Sequence, residues 1–142
     1  MFSNITNIFQ KKINKINFED MQLVVKNPTY FLLINTMNAV EQDCLILTTL
    51  PYESEEKTIN DMLNSYDLTS KKIVIYGKNA NDETLDKKYS QLTGLGFNQV
   101  YLYCGGLFEW LMLQDIYGFD EFQTTKKQLD ILKYKPERKL KL

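Results

Sequence analysis

The sequence predicts an α/β fold, a parallel sheet covered by helices on both faces. Two observations carry that expectation. Four short runs, Tyr30 to Ile34, Cys44 to Leu50, Ile73 to Tyr76 and Val100 to Tyr103, are apolar almost without interruption, as strands buried on both sides are. Between them lie segments whose apolar residues recur every three or four positions, and strands alternating with helices are the pattern of parallel strands joined by crossovers. With 142 residues, 44% apolar and 13% aromatic, the chain is long enough for one domain with its own core.

The elements follow in order. Phe2, Ile5, Ile8, Phe9, Ile13 and Ile16 are spaced as one apolar stripe on a helix, flanked by Lys11, Lys12 and Lys15, so residues 1–15 read as an amphipathic helical extension. Asn17 before Phe18-Glu19-Asp20 is an N-cap followed by first-turn acids and opens a second helix. Asn27-Pro28 ends it, because proline disfavours helical geometry in the residue before it, and the first strand follows. The second run, from Cys44, stops at Pro51. Ser54 opens a helix with Ile59, Met62, Leu63 and Tyr66 on one face. After the third strand, Leu85, Tyr89 and Leu92 line the next helix, stopped by Gly94 and Gly96. The fourth strand leads through Gly105-Gly106 into the helix LFEWLMLQDIYG, and residues 119–142 show no clear period.

Charge is nearly balanced, 17 Lys+Arg against 18 Asp+Glu, so no net field points to nucleic acid or membrane. Its distribution is uneven: Lys126, Lys127, Lys133, Lys135, Arg138, Lys139 and Lys141 face only Asp130 and Glu137 near the end, a basic tail over 119–142. There is no histidine and there are two cysteines, Cys44 and Cys104. That composition removes Ser-His and Cys-His nucleophile pairs and imidazole metal sites, and two thiols cannot complete a four-thiolate site, so no metal or other cofactor is expected. The opening MFSNITNIFQKKINKI is too interrupted by polar residues for a signal peptide, and no apolar run reaches the ~18 residues of a spanning helix. A reducing, cytoplasmic setting is expected.

Particular residues add a resemblance to this pattern. INFEDMQLVVKNPTYFLLINT and KKIVIYGKNANDETLDKKYSQLTGLGFNQVYLYCGGLFEW, above all Leu95-Gly96-Phe97, Val100-Tyr101 and Gly105-Gly106 with Trp110, resemble the rhodanese-like domain family. The resemblance covers residues 16–118 and implies that family's parallel sheet with helices on both faces. It also implies an active loop directly after the third strand, opened by a nucleophilic cysteine and containing arginine. Here the loop reads Gly77, Lys78, Asn79, Ala80, Asn81, Asp82, Glu83. Gly77 stands where the cysteine would, Asp82 where an arginine would, and Asn35-Thr36-Met37 where the family carries an acid and often an arginine.

A thiol mechanism needs a thiolate to attack and store the transferred group, and Gly77 has no side chain. A helix start with free amides favours an anion, but Asp82, Glu83 and Asp86 place carboxylates there. At an effective dielectric of about 20, like charges ~4 Å apart repel by roughly 4 kcal/mol, which Lys78 offsets only in part. The loop therefore reads as structural. Cys104, at the end of the fourth strand, is the fallback thiol for a sulfurtransferase or phosphatase-like alternative, although a cysteine there is more simply a small core residue. Cys44 reads as core, and Phe108, Trp110 and Tyr117 as packing rather than a platform for bases.

The functional expectation is a non-catalytic interaction or structural module with protein partners and a possible homodimer. Phe2, Ile5, Phe9 and Ile13 at one end and Lys133, Lys135, Arg138 and Lys139 at the other are its candidate partner-binding residues. A weaker alternative gives the basic tail to nucleic acid or an acidic membrane. EQDCLI, GGLFEWLMLQDIYG and DILKYKP are also similar to rhodanese-like proteins of large DNA viruses, which implies a virion or infected-cell component.

Overall fold

Four strands run parallel in the order β1-β4-β3-β2. The structure, a computed structural model, describes residues 13–142. In chain order these form β1 (Asn14–Ile16), α1 (Phe18–Lys26), β2 (Phe31–Asn35), α2 (Tyr52–Asn64), β3 (Lys72–Tyr76), α3 (Thr84–Gly94), β4 (Val100–Tyr103) and α4 (Gly106–Tyr117), with short 3-10 turns at Ala39–Glu41 and Ile131–Tyr134. Among the described residues no helix is long and apolar enough to cross a membrane.

Strand residues alternate between two cores, as the two-residue period of a strand requires. Leu33, Val74, Tyr76 and Tyr103 point to one face and pack under α1 and α4 through Met21, Val24, Leu107, Trp110 and Leu111. Leu32, Ile34, Ile73, Ile75, Val100 and Leu102 point to the other, where Ile59 of α2 and Leu85 and Leu92 of α3 cover them. The sheet is therefore sealed on both sides, which explains the unbroken apolar runs. Asn17 caps α1 as its sequence predicts: its side chain accepts from the Asp20 amide at 3.0 Å, and Asp20 accepts from the Asn17 amide at 3.1 Å. This reciprocal pair satisfies two donors that a helix start leaves open.

Three segments depart from the sequence reading. The helical stripe expected to run through Ile16 gives way to strand at Asn14–Ile16, paired with Tyr101 to Tyr103. Edge pairing to a formed sheet outweighs helical spacing there. Of the stripe residues named as partner-binding, Phe2, Ile5 and Phe9 lie outside the described residues, and Ile13 is exposed. The run from Cys44 to Leu50 is no regular strand. It holds single bridges from Ile46 to Thr124 and from Thr49 to Leu33 and turns sharply at Thr48, whose φ is +71°, yet Cys44, Leu45 and Ile46 are buried. Apolar character marked burial and not conformation. Residues 119–142 are not a free basic tail: Phe122, Thr124 and Tyr134 are buried, the first and last within the α1/α4 core, while Lys133, Lys135, Arg138 and Lys139 stay exposed.

Candidate functional site

The carboxyl ends of β2, β3 and β4 share one edge of the sheet, the place where open parallel sheets hold their ligands. The loop from Gly77 to Glu83 occupies it, and two elements lock its backbone. At the start of α4 the Leu107 and Phe108 amides donate to the carbonyls of Gly77 and Lys78 at 3.0 and 2.9 Å. Gly106 permits this approach: it has φ +69°, and a Cβ there would lie 2.7 Å from the Gly77 carbonyl oxygen, a conformation and spacing that suit glycine alone. Asn79 is buried and reaches the other way, its Nδ2 donating to the Tyr134 carbonyl at 3.0 Å and its Oδ1 accepting from the Asn81 amide at 2.9 Å.

Asp82 fills the centre of the loop. Its Oδ2 accepts from the Lys78 amide at 2.8 Å, and its Oδ1 accepts from the Thr84 amide at 3.0 Å and the Thr84 hydroxyl at 2.6 Å. The amides that would greet an anion thus already hold a carboxylate belonging to the chain. A side chain at Gly77 would require Asp82 to move: a Cβ there would lie 2.5 Å from Asp82 Oδ2 and 3.0 Å from Thr36 Oγ1. Glu83 stands at the N-cap of α3 without a side-chain capping bond, and Asp86 lies in the first turn. Asp82 alone of the three carboxylates makes the capping contacts. Lys78 does not face the loop's anion position freely, because its Nζ pairs with Glu41 at 2.7 Å.

Above the loop lies a polar cavity of about 440 Å³, lined by Asn38 and Glu41 from the segment after β2, by Lys78, Asn81, Asp82 and Glu83, and by Lys135, Glu137 and Lys139. The C-terminal segment therefore forms a wall of the cavity, anchored by buried Tyr134 and its bond to Asn79. Sequence reasoning missed this contact, which joins residues 55 positions apart, and the only local sign was an isolated aromatic among lysines. It also missed the bend after β2, where the Asn35 and Gln42 side-chain amides pair reciprocally at 2.8 and 3.0 Å.

The two thiols lie in different cores. Cys104 is partly buried against the α2/α3 cluster and does not line the cavity, although β4 runs beside β3 and carries it next to the loop. Cys44 is buried in the other cluster with its thiol toward the Lys126 carbonyl at 3.3 Å, and burial pushes that thiol above its ordinary range. Burial also holds the Tyr76 phenol far above the usual range. Its hydroxyl accepts from the Ile46 amide at 3.1 Å and lies 2.7 Å from Thr49 Oγ1, fixing the irregular 44–50 segment to the sheet. Trp110 is fully buried and donates to the Gln123 carbonyl at 3.0 Å. Tyr117, expected to be packing, is largely exposed. Among the described residues no three His, Cys, Asp or Glu side chains are grouped as metal ligands.

Comparison of the sequence with family models and with curated proteins gives no match. Solved structures do match. The rhodanese-like domain of the Anabaena sp. Alr3790 protein is 18% identical with a TM-score of 0.53, over 92% of this chain and 96% of that one. The single-domain sulfurtransferase RDL2 of Saccharomyces cerevisiae is 16% identical with a TM-score of 0.53, over 76% and 96%. The fold is rhodanese-like. The BH2092 protein of Bacillus halodurans is similar at 18% identity and a TM-score of 0.56, over 74% of each chain.

Proposed function

We propose that this chain is a rhodanese-like protein without transferase or phosphatase activity, acting as an interaction or structural module. One observation carries the reading: the residue that would hold the nucleophile is Gly77, and the Asp82 carboxylate occupies the space its side chain would enter. Sulfur or phosphoryl transfer through this loop needs a group that bonds to the transferred atom and amides that stabilise the arriving anion. The first is missing, and Asp82 has taken the Lys78 and Thr84 amides. The C-terminal segment adds a third element, since Lys135, Glu137 and Lys139 line the cavity over the loop.

The competing reading keeps an enzyme and routes it through Cys104. It draws on the sulfurtransferase among the structural neighbours and on one thiol that is only partly buried. Steady-state assays with thiosulfate and cyanide, and separately with an aryl phosphate, decide between the two. The expected result is no turnover above a heat-treated sample. Turnover that disappears in Cys104→Ser would establish the enzyme and end the proposal.

A further inference from the structure

The first described residues enter the sheet beside an open groove. The register sets Asn14 of β1 level with Tyr101 of β4 and Val74 of β3. Two residues nearer the strand starts, Lys72 of β3 stands beside Phe31 of β2. At this end of the sheet, against α1, Phe31, Val74 and Tyr101 line a cleft of about 170 Å³ together with Ile16 and Leu23. Leu23, Phe31 and Lys72 continue it into a second hollow of about 380 Å³ that reaches Tyr30. Ile13 is 44%, Leu23 55% and Tyr30 66% exposed, so apolar surface extends from the point of entry to the far side of the groove.

The charged groups of this groove are already engaged. Asp20 accepts from the Asn17 amide, and the Lys72 ammonium lies 6.0 Å from the centroid of the Tyr101 ring, a cation–π contact. The groove therefore selects by apolar fit. Residues 1–12, which join the described chain at Ile13, supply that chemistry: they carry Phe2, Ile5, Ile8 and Phe9, with Lys11 and Lys12 and no acid. Their length suits the groove as well. From β1 across β4 and β3 to β2 is about 14 Å at the usual strand spacing, and residues 1–12 span about 18 Å as a helix and more when extended. A tethered segment also meets the groove at an effective concentration on the order of millimolar, ahead of a second copy at micromolar concentration. We infer that residues 1–12 close over this groove, with Phe9 near Tyr101 and Phe2 near Leu23 and Tyr30. A partner that takes either the stripe or the groove must then displace the other. The inference concerns the packing of the chain on itself and stands apart from whether the loop is catalytic.

A nitroxide attached at Ser3→Cys in a Cys104→Ser background, with Cys44 buried, tests it through the amide resonances of the full chain. The Leu23, Tyr30 and Phe31 signals are expected to be lost by paramagnetic broadening, while those of α3, on the opposite face of the sheet, persist. Leu23→Asp sets a charge in the groove at an exposed position and should return the Tyr30 and Phe31 signals. Mixing isotope-labelled chain that lacks the nitroxide with unlabelled chain that bears it separates one molecule from two, and the labelled signals are expected to be unchanged. Leu23, Tyr30 and Phe31 signals that persist in the nitroxide-bearing chain would overturn the inference. So would broadening that Leu23→Asp leaves in place, or broadening in the mixed sample, which would put the segment on a second copy.

Discussion

Placing a side chain at residue 77 should destabilise the loop, and the structure supplies the size of the effect. In Gly77→Cys the new Cβ falls 2.5 Å from Asp82 Oδ2, closer than non-bonded atoms approach, and 3.0 Å from Asp82 Cγ, a tight contact. The carboxylate is the part that can move, and moving it forfeits the hydrogen bonds to the Lys78 amide and to the amide and hydroxyl of Thr84. A capping contact of this kind is worth about 1 kcal/mol. The second amide adds a comparable amount, reduced because water reaches this partly exposed site, so the expected cost is about 1–2 kcal/mol. For a domain of this length that lowers Tm by about 2–8 °C. In an Asp82→Ala background those bonds are already gone and the cysteine meets no carboxylate, so Gly77→Cys should then cost little. The two substitutions should show a coupling of about 1–2 kcal/mol. Urea unfolding of the four proteins, followed by the fluorescence of Trp110, the single tryptophan, measures it. Equal costs in both backgrounds would refute the claim that Asp82 occupies the space that a side chain at residue 77 would enter.

Three other predictions bear on the surroundings of the loop. Tyr76→Phe leaves the buried Ile46 amide without its acceptor and should cost about 1–3 kcal/mol in the same unfolding assay, whereas a 44–50 segment held only by apolar packing would not respond. Tyr134→Ala should cost about 3–5 kcal/mol, the penalty for emptying an aromatic core site; a free tail would lose nothing. Stability should also fall at alkaline pH. Burial raises the folded-state pKa of Cys44, Tyr76 and Tyr103 above the ordinary 9.0 and 10.0, so in that range the unfolded chain releases protons that the folded chain keeps. The stabilisation is complete below about pH 9 and is lost as pH rises, by up to about 1.4 kcal/mol per pH unit for each group. Urea midpoints measured between pH 8 and 11 check it, and a flat profile would contradict the burial of these groups.

Much of this architecture was legible because its determinants are local or periodic. Asn17 with Asp20 marks the start of α1, and the apolar runs at β2, β3 and β4 mark strands covered on both faces. β1 was not legible: three residues with one apolar side chain carry no strand signal, and pairing with β4 is what makes them a strand. The CLILTTL segment was read as a strand because its residues are apolar, but its conformation is set by Tyr76 and Thr124, both distant in sequence. The same distance hid the walls of the site. Glycine at 77 and acids at 82 and 83 can be read directly, whereas the lysine at 78 paired with Glu41, and Asn79 with the Tyr134 carbonyl, are products of the folded chain. Asp82 could be placed near the loop from its position after Asn81. That its carboxylate stands against Gly77 is a property of the turn's shape.

The central claim is that no group in this chain takes up a sulfur atom from a donor. Intact-mass spectrometry after brief exposure of the reduced full chain to thiosulfate addresses it without depending on an acceptor or on turnover. An unchanged mass is the predicted result. A gain of one sulfur atom that reductant reverses and Cys104→Ser abolishes would contradict the account.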